Sequence, residues 1–417
     1  MGNGVTIILY GFGRKPFAPQ GALSMPVEKS HQIHPQSDPI WRERLRHFES
    51  RLPGLVQTIR EFVEVESPSD NKPAADRMGA LLATRFQARG GQVRWHRAGD
   101  FGDSLEIDFP GRAGRPVLLL GHFDTVYSQG TLATMPCRVD GDRLYGPGVL
   151  DMKAGIALML FSIEALRTWN GQLPRPVTVF LVSDEEVGSR SSRRITESLA
   201  RQSDAVFVLE PAAGLKGAVK TARKGVGEYT LTVKGVAAHA GLDPGKGHSA
   251  VVELAKQIGV LSKFTHLASG VSVNPGVIRG GTRTNVVAAE AAVDIDARIK
   301  SARQAVGLDR KMRSLKPFDR HCKLSVEGGI NRMPMERSAG VVGLYKKAKN
   351  IARQIHWRLD EAAVGGGSDG NFTAGIGIPT LDGMGAVGDG AHAVHEHILI
   401  SELPRRALLL AGMIERV

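Results

Sequence analysis

Three adjacent carboxylates, Asp184, Glu185 and Glu186, follow an apolar and β-branched run over Val177–Val182. A run of this kind predicts a buried strand of a parallel sheet. Acids placed together at the end of a buried strand repel one another and lose hydration, and a bound cation relieves both costs. The stretch therefore indicates a metal site, whereas a single acid in this place would be typical of an ordinary strand-to-loop junction.

A second buried-strand pattern, over residues 116–121, ends in His122, and Asp124 follows two positions later. Residues two apart on a strand face the same side, so this imidazole and this carboxylate can meet. A metal-binding imidazole usually donates its other ring N–H to a carboxylate or a carbonyl. The pair predicts His122 as a metal ligand supported by Asp124, although a lone histidine at a strand end is more often structural.

Two more acids lie at the ends of predicted elements. Asp151 follows the glycine-rich turn 146–148 and precedes an apolar helix, a position that is also typical of a helix N-cap. Glu210 ends the buried-strand pattern 204–209. Because open α/β sheets bind ligands beyond the carboxyl ends of their strands, these acids and His122 are predicted to share one edge. Nitrogen and oxygen ligands without thiolate favour Zn²⁺, with Co²⁺ or Mn²⁺ as substitutes.

The elements that must position these residues follow from hydrophobic periodicity. Helical spacing occurs over residues 40–64, 71–89 and 403–416, and buried-strand patterns alternate with helices up to residue 210. After residue 224 the pattern changes to half-exposed alternating strands with two helices, which indicates an α+β region with its own antiparallel sheet. We therefore predict an α/β fold divided into an N-terminal extension that is loosely held (1–39), a mixed-sheet catalytic domain in two parts (40–223 and 333–417), and an inserted α+β domain (224–332).

Bulk composition excludes several classes of protein. The length of 417 residues exceeds what one hydrophobic core usually supports, so two domains are expected. No apolar run is long enough to span a membrane. The net charge of +12 comes with no nucleic-acid motif, so it favours either plain solubility or attraction of small anionic substrates.

The cysteines and the N-terminus indicate the cellular compartment of the protein. Cys137 and Cys322 make neither a disulfide framework nor a metal motif. The short apolar run near the N-terminus has no basic residue before it, so a secretory signal is not indicated, and Met25 is an alternative start. We expect a cytoplasmic protein, and a periplasmic one stays open.

Five separate motifs, in this order, resemble the M20 family of dinuclear metallopeptidases and amidohydrolases, and within it the glutamate carboxypeptidases. The similarity extends from about residue 40 to the C-terminus, and the order of the motifs makes it specific where no single motif would. The motifs are Gly121-His-Phe-Asp-Thr-Val, Gly146-Pro-Gly-Val-Leu-Asp-Met-Lys-Ala-Gly, Asp184-Glu-Glu-Val-Gly-Ser, Leu209-Glu-Pro and Ala391-His-Ala-Val-His-Glu.

The resemblance implies a zinc-exopeptidase-like catalytic domain, split by a lid and dimerisation domain, with two Zn²⁺ ions per subunit. One ion would be held by His122, Asp151 and Glu210. The other would be held by Asp151, Glu186 and His392, so that Asp151 bridges the two. The family also implies a cis peptide bond after Asp151.

The resemblance assigns further roles near the ions. Glu185 would be the general base and Asp124 the support of His122. His395 and His397 are rivals of His392, and the family spacing to Glu396 selects His392.

Other implied residues lie outside the metal cluster. His239 matches the family histidine that reaches from the partner subunit to the reacting carbonyl, which implies a homodimer through the lid domain. Asn285 and Arg298 match lid positions that bind substrate. Arg332 lies where the glutamate-releasing members have a carboxylate-binding arginine.

The predicted function is zinc-dependent hydrolysis of an amide bond next to a free carboxylate, in small peptides or N-acyl amino acids. Neither nucleic acid nor a membrane is an expected partner. Lys216 and Lys220 are both candidates for the lysine of the side-chain pocket, so a preference for C-terminal glutamate stays open. The alternatives are a deacylase of the acetylornithine or succinyl-diaminopimelate type and, from another class, a catalytically silent binding module.

Overall fold

The computed structural model describes residues 38–417, and the predicted extension therefore lies outside the described residues except for its last two. Within this part, no helix combines the length and the apolar character needed to cross a membrane. The helices are α1 (Pro39–Val63), α2 (Lys72–Gln87), α3 (Ala154–Asn170), α4 (Arg193–Gln202), α5 (Ala250–Ser262), α6 (Ala302–Arg313), α7 (Ala339–Gln354), α8 (Gly370–Gly375) and α9 (Leu403–Arg416).

The strands belong to four sheets. They are β1 (Gln92–His96), β2 (Ser104–Phe109), β3 (Val117–His122), β4 (Arg138–Asp140), β5 (Arg143–Tyr145), β6 (Val177–Val182), β7 (Ala205–Val208), β8 (Val219–Arg223), β9 (Gly225–Lys234), β10 (Ser272–Gly280), β11 (Glu290–Ile299), β12 (Lys323–Arg332), β13 (Glu361–Val364), β14 (Thr380–Leu381), β15 (Gly388–Asp389) and β16 (His397–Leu399).

The largest sheet has the strand order β1-β2-β6-β3-β7-β14. Strands β6, β3, β7 and β14 run parallel, whereas β1 and β2 are antiparallel to their neighbours. Every residue of β3 and β6 is buried, as continuous apolar runs predict. The carboxyl ends of four parallel strands therefore meet at one edge, and the predicted mixed α/β sheet is confirmed.

Helices cover both faces of this sheet because side chains alternate along each strand. Leu119 of β3 faces a core that it shares with residues of α1, α3 and α9, including Phe62, Leu160 and Leu410. Leu120, its neighbour, faces the opposite core, which α4 helps to close. The sheet is thus held from two sides, and this fixes the position of its carboxyl edge.

Residues 225–332 form a second sheet with a core of its own. Its strand order is β10-β11-β9-β12, and all three pairs are antiparallel. Buried and half-exposed residues alternate along β11, and α5 and α6 cover the buried face. Ser249 and Ser301 cap these helices through hydrogen bonds to main-chain N–H groups. This antiparallel sheet covered by two helices is the α+β architecture that the sequence predicted for the insert.

Two differences from the sequence-based expectation concern this second sheet. Strand β12 was not predicted, because Gly328 and Gly329 interrupt its alternation. The segments 271–274 and 276–279, which the sequence separates by Pro275, form a single strand, β10, with a bulge between Pro275 and Val277.

Two small sheets bring distant loops together. Strands β15, β16, β5 and β4 form an antiparallel sheet, and β8 pairs with β13 in parallel. The pairing of β16 with β5 places the loop before His397 beside the turn after Tyr145. These short strands carry weak periodicity, so the sequence did not reveal that they align two ligand-bearing loops.

Candidate active site

The first group of ligand-type side chains lies at the carboxyl edge of the large sheet. His122 is the last residue of β3, and Glu210 follows β7 by two positions. The Nε2 atom of His122 is 3.1 Å from Asp151 Oδ1 and 3.6 Å from Glu210 Oε1. These three side chains form a group that could hold one metal ion.

The second group shares a carboxylate with the first. His392 Nε2 lies 3.4 Å from Asp151 Oδ2 and 3.2 Å from Glu186 Oε1. Asp151 thus turns one carboxylate oxygen towards each group, as a bridging ligand must. His395 and His397 belong to neither group within the described chain.

The backbone around Asp151 differs from a simple helix start. Asp151 and Met152 have non-helical backbone angles, and the N-cap position of α3 is Lys153, which makes no side-chain cap. The alternative in which Asp151 caps this helix is therefore wrong. The peptide bond between Asp151 and Met152 is cis, which confirms that prediction.

The electrostatics of the two groups suit metal ions. Hydrogen bonds from the imidazole to the carboxylates of Asp151 and Glu186 raise the pKa of His392 to about 10. Burial raises the pKa of Glu186 despite its hydrogen bond with His392. Ligands around a tetrahedral zinc ion lie about 3.3 Å apart, close to the separations seen here. The donor set and its spacing therefore fit two divalent ions.

Asp124 supports both His122 and the turn that follows β6. His122 Nδ1 lies 3.0 Å from the main-chain oxygen of Asp124 and 3.4 Å from its Oδ1. The carboxylate also accepts the main-chain N–H groups of Glu185 at 3.3 Å and Glu186 at 3.2 Å. Ser69 donates its hydroxyl to the same carboxylate at 2.7 Å. Asp124 therefore couples the orientation of the imidazole to the acidic turn.

Glu185 belongs to neither ligand group in the described chain, although it is adjacent to Glu186. Burial raises the pKa of Glu185 well above its usual range, and the positive charge of Arg332 opposes this rise. The Nη2 atom of Arg332 lies 3.0 Å from Glu185 Oε1 and 2.9 Å from Asp369 Oδ1. Glu185 is a carboxylate with a raised proton affinity beside the metal groups, which is what a general base requires.

The structure places Arg332 at the site but gives it a partner that was not predicted. Its Nη2 is engaged by Glu185, Asp369 and the hydroxyl of Ser189, and its Nε is buried without a partner among the described residues. In residues 38–417 its Nη1 makes no hydrogen bond. The guanidinium therefore holds Glu185 through a single nitrogen, and its other two nitrogens are unpaired within the described residues.

The three candidates in the second sheet lie in a different environment. His239 and Asn285 are exposed, and Arg298 is half-buried. His239 Nδ1 accepts the main-chain N–H groups of Gly241 and Leu242 at 3.1 Å each. Arg298 donates to both carboxylate oxygens of Asp296 at 2.9 and 2.8 Å. In the described part of one chain, none of the three has a hydrogen bond or ion pair with the metal groups.

Sequence reasoning overlooked a buried carboxylate that joins the two ligand loops. Glu396 accepts main-chain N–H groups from Gly148 at 2.9 Å, Leu150 at 2.8 Å and Asp151 at 3.0 Å. Tyr127 donates its hydroxyl to the same carboxylate at 2.7 Å. Its spacing of four residues from His392 indicated that Glu396 lies near the site, but it could not predict which groups the carboxylate contacts.

A second overlooked group lies behind Glu210. Arg223 Nη2 donates to Glu210 Oε2 at 3.1 Å, and its Nε and Nη2 also donate to Asp382 at 2.7 and 3.0 Å. Asp382 follows β14, so the rule of an acid at a buried strand end would have found it. Lys220, three residues before Arg223 on strand β8, is buried and makes no ion pair in the described chain, whereas Lys216 is exposed.

Comparison with known proteins identifies the family. The model for peptidase family M20/M25/M40 matches residues 118–416. The chain belongs to this family. It is therefore an enzyme of the M20 metallopeptidase and hydrolase group, and the resemblance of its five motifs is confirmed.

Two curated relatives show how far the M20 similarity extends. Carboxypeptidase G2 of Pseudomonas sp. strain RS-16 is 29% identical over 371 residues, which cover 87% of this chain and 89% of that protein. Succinyl-diaminopimelate desuccinylase of Dechloromonas aromatica is 27% identical over 288 residues, which cover 66% of this chain and 75% of that protein.

Solved structures share the M20 fold. The aminopeptidase PepT of Bacillus cereus superposes with a TM-score of 0.70 at 23% identity, covering 87% of this chain and 98% of that one. At this identity the likeness supports the mixed α/β architecture and its inserted sheet, and nothing about substrate.

Proposed function

We propose that this M20 protein is a zinc-dependent hydrolase that cleaves an amide bond next to a free carboxylate, as a carboxypeptidase of small peptides or N-acyl amino acids. The observation that carries the proposal is Asp151, whose two carboxylate oxygens face two separate ligand groups. Glu185, half-buried beside them and in neither group, supports it. The similarity to carboxypeptidase G2 favours the carboxypeptidase type.

The residues that would hold the two ions divide into the groups already described. Two bound zinc ions would lower the pKa of a shared water and polarise the scissile carbonyl. One ion is assigned to His122, Asp151 and Glu210, and the other to Asp151, Glu186 and His392.

Glu185 takes the proton of the attacking water and returns it to the leaving nitrogen. A carboxylate bound to a metal cannot do this, and so the adjacent Glu185 and Glu186 divide the two tasks. Arg332 keeps Glu185 in place through its Nη2 atom. Asp124 fixes the turn that carries both glutamates by accepting their main-chain N–H groups.

Groups from the second sheet complete the site on the substrate side. His239 and Asn285 are proposed to stabilise the tetrahedral oxyanion by donating hydrogen bonds. Arg298, together with the free Nη1 of Arg332, is proposed to bind the carboxylate of the substrate. Because His239 has no contact with the metal groups of its own chain among residues 38–417, the partner subunit is the proposed source.

A homodimer through the second sheet is part of the proposal. Strand β10 is an edge strand, and its Val277 and Ile278 are exposed by 52% and 60%. Val251 and Val252 on the neighbouring helix α5 are exposed as well. An unpaired edge with apolar side chains is suited to pairing with a second copy. We also propose that the chain divides at the predicted boundaries, with residues 224–332 as the lid and dimerisation domain.

The preferred side chain of the substrate depends on Lys220. Of the two candidate lysines, Lys216 is exposed and Lys220 is buried. The charges of Glu210 and Asp151 act on the ammonium of Lys220, but neither forms an ion pair with it. We assign Lys220 to an acidic group of the substrate, such as the side chain of a C-terminal glutamate.

The experiment that tests the proposal is hydrolysis of a panel of dipeptides and N-acyl amino acids by the metal-free and the zinc-loaded protein. We expect zinc-dependent release of an amino acid with a free α-carboxylate. Preferred release of acetyl or succinyl groups would instead support the deacylase alternative, which the similarity to the desuccinylase favours. No hydrolysis of any substrate by a protein that binds two zinc ions would support the silent binding module and overturn the proposal.

A further inference from the structure

A third group of metal-ligand side chains lies in the second sheet region, outside the candidate active site. His248, Asp319 and His321 bring their ligand atoms within 4.8 Å of one another, as both groups at the active site do. His248 Nδ1 is 2.7 Å from Asp319 Oδ2. The ring of His321 stacks on that of His248 with the centroids 4.1 Å apart.

The loop that carries Asp319 and His321 is held in place by a buried acid. Glu253 of α5 accepts the main-chain N–H groups of Phe318 at 2.9 Å and Asp319 at 3.0 Å. Asp319 Oδ1 in turn accepts the main-chain N–H of His321 at 2.9 Å. The remaining oxygen of Asp319 is thereby directed to His248 before any ligand arrives.

His248 is anchored from the other side of the group. Its main-chain N–H and C=O exchange two hydrogen bonds of 2.9 Å with Val236. The adjoining Gly235 allows this approach, because a Cβ there would lie 2.1 Å from the carbonyl oxygen of His248. The pair of Val236 and His248 closes the base of the loop 236–248, which carries His239.

We propose that His248, Asp319 and His321 form a third metal site, which takes a divalent transition ion such as Zn²⁺, with water completing its coordination. Two imidazoles and one carboxylate suit zinc and its neighbours in the periodic table, whereas Ca²⁺ and Mg²⁺ prefer oxygen ligands alone. The ion would take the place of the hydrogen bond between His248 Nδ1 and Asp319 Oδ2. This site is separate from the dinuclear centre and goes beyond the proposed function.

Binding requires a small change in one exposed side chain. Three ligands around zinc lie about 3.3 Å apart, so the group must contract slightly. His321 is exposed, and rotation of its side chain takes the ring out of the stack with His248. That movement gives up a hydrogen bond of 3.3 Å from Arg320 Nε to His321 Nε2. Arg320 is therefore a positive charge that opposes the ion.

The bound ion would fasten the loop 236–248 to the loop that precedes β12. His248 belongs to the first loop, and Asp319 and His321 belong to the second. Because His239 lies in the first loop, the site would limit the motion of that residue. This consequence, unlike the metal site itself, rests on the role proposed for His239.

The test is zinc stoichiometry, measured by equilibrium dialysis of the full chain and elemental analysis. We expect three equivalents of zinc for the parent protein and two for His321→Ala and for Asp319→Asn. Asp319→Asn keeps the side-chain oxygen that His321 N–H needs, so the loop retains its anchor. The matched control His266→Gln removes a histidine of the same region that belongs to no ligand group among the described residues, and should keep three equivalents.

Two further measurements, of zinc affinity and of proteolysis, also test the site without measuring catalysis. Arg320→Ala should tighten the third equivalent about threefold, because it removes a nearby positive charge. Zinc should slow tryptic cleavage after the exposed Lys246 in the parent protein and not in His321→Ala. Two equivalents in the parent protein, or three in both triad variants, would overturn the proposal, as would equal loss of one equivalent in His266→Gln.

Discussion

The carboxyl edge of the large sheet and the exposed loops of the second sheet contribute to the candidate site in opposite ways. At the edge, His122, Asp124 and Glu210 are buried and bonded to several partners each. In the second sheet, His239 and Asn285 are exposed, and within the described residues the side chain of His239 bonds only to main-chain N–H groups two and three residues away. The two candidate metal-ligand groups are thus formed within one chain, whereas His239 and Asn285, which we propose to meet the substrate, make no hydrogen bond to those groups in the described part of that chain.

The largest expected effect on activity comes from a substitution at the carboxyl edge of the large sheet. Glu185→Gln keeps the shape and the hydrogen-bonding oxygen of the side chain but cannot take a proton. We expect kcat to fall about 10³-fold, in the range of a lost general base, while two zinc ions remain bound. Steady-state kinetics and metal analysis on the same sample measure both quantities. Parent-like kcat in this variant would refute the proposed mechanism.

The next prediction tests whether the exposed region acts across subunits. His239→Ala should lower kcat about 10²-fold, because it removes a donor to the oxyanion. If His239 serves the partner, subunits of His239→Ala and Glu185→Gln that are mixed in equal amounts should regain about a quarter of the parent activity. Half of the random dimers are then hybrids, and each hybrid has one complete site. Mixtures no more active than the separate variants would place His239 in its own subunit's site, or outside the reaction.

A smaller effect concerns the buried lysine. Lys220→Met should raise KM about tenfold for substrates with an acidic side chain, because a charge-assisted hydrogen bond is lost. Substrates with a neutral side chain should keep their KM and serve as the control. The matched variant Lys216→Met, at an exposed lysine, should change neither.

The same lysine predicts a pH dependence. Burial, together with the positive charge of Arg223, lowers the pKa of Lys220 below the usual lysine value. Its charge is therefore present at low pH and is lost as the pH rises through that lowered pKa. KM for acidic substrates should rise in the alkaline range before an ordinary lysine would titrate. Lys220→Met should show no such rise.

The smallest effect separates a substrate contact from an ordinary surface ion pair. Arg298→Ala should raise KM about threefold, because the half-buried guanidinium is only one of the groups proposed to bind the carboxylate. Arg279 makes a matching pair with Asp294 on the same sheet, at 2.7 and 3.0 Å. Arg279→Ala is therefore the control and should leave KM unchanged. Equal changes in both variants would remove Arg298 from the site.

The sequence predicted the residues at the carboxyl edge of the large sheet better than it predicted the rest of the molecule. Acids and a histidine at the ends of continuous apolar runs, such as His122 after β3, carry a local signal, because a buried parallel strand needs both the run and a sharp end. Asp382 also follows a buried strand, but that strand, β14, has only two residues. A run this short gives no hydrophobic pattern from which a strand could be predicted.

Contacts that depend on the pairing of distant segments could not be predicted from the sequence. Arg332 was expected to hold substrate, yet its position beside Glu185 follows from where β12 ends against the turn after β6. Strand β12 itself was overlooked. The partners of Glu396 likewise depend on the pairing of β16 with β5, which short-range periodicity cannot show.

Glu396 has one consequence for how the protein would retain the two proposed ions. Its carboxylate accepts N–H groups from the turn that ends in Asp151, and it lies in the same loop as His392. The two segments are therefore tied together. A displacement that released His392 would also shift Asp151, so the proposed dinuclear site could not loosen on one cation while keeping the other.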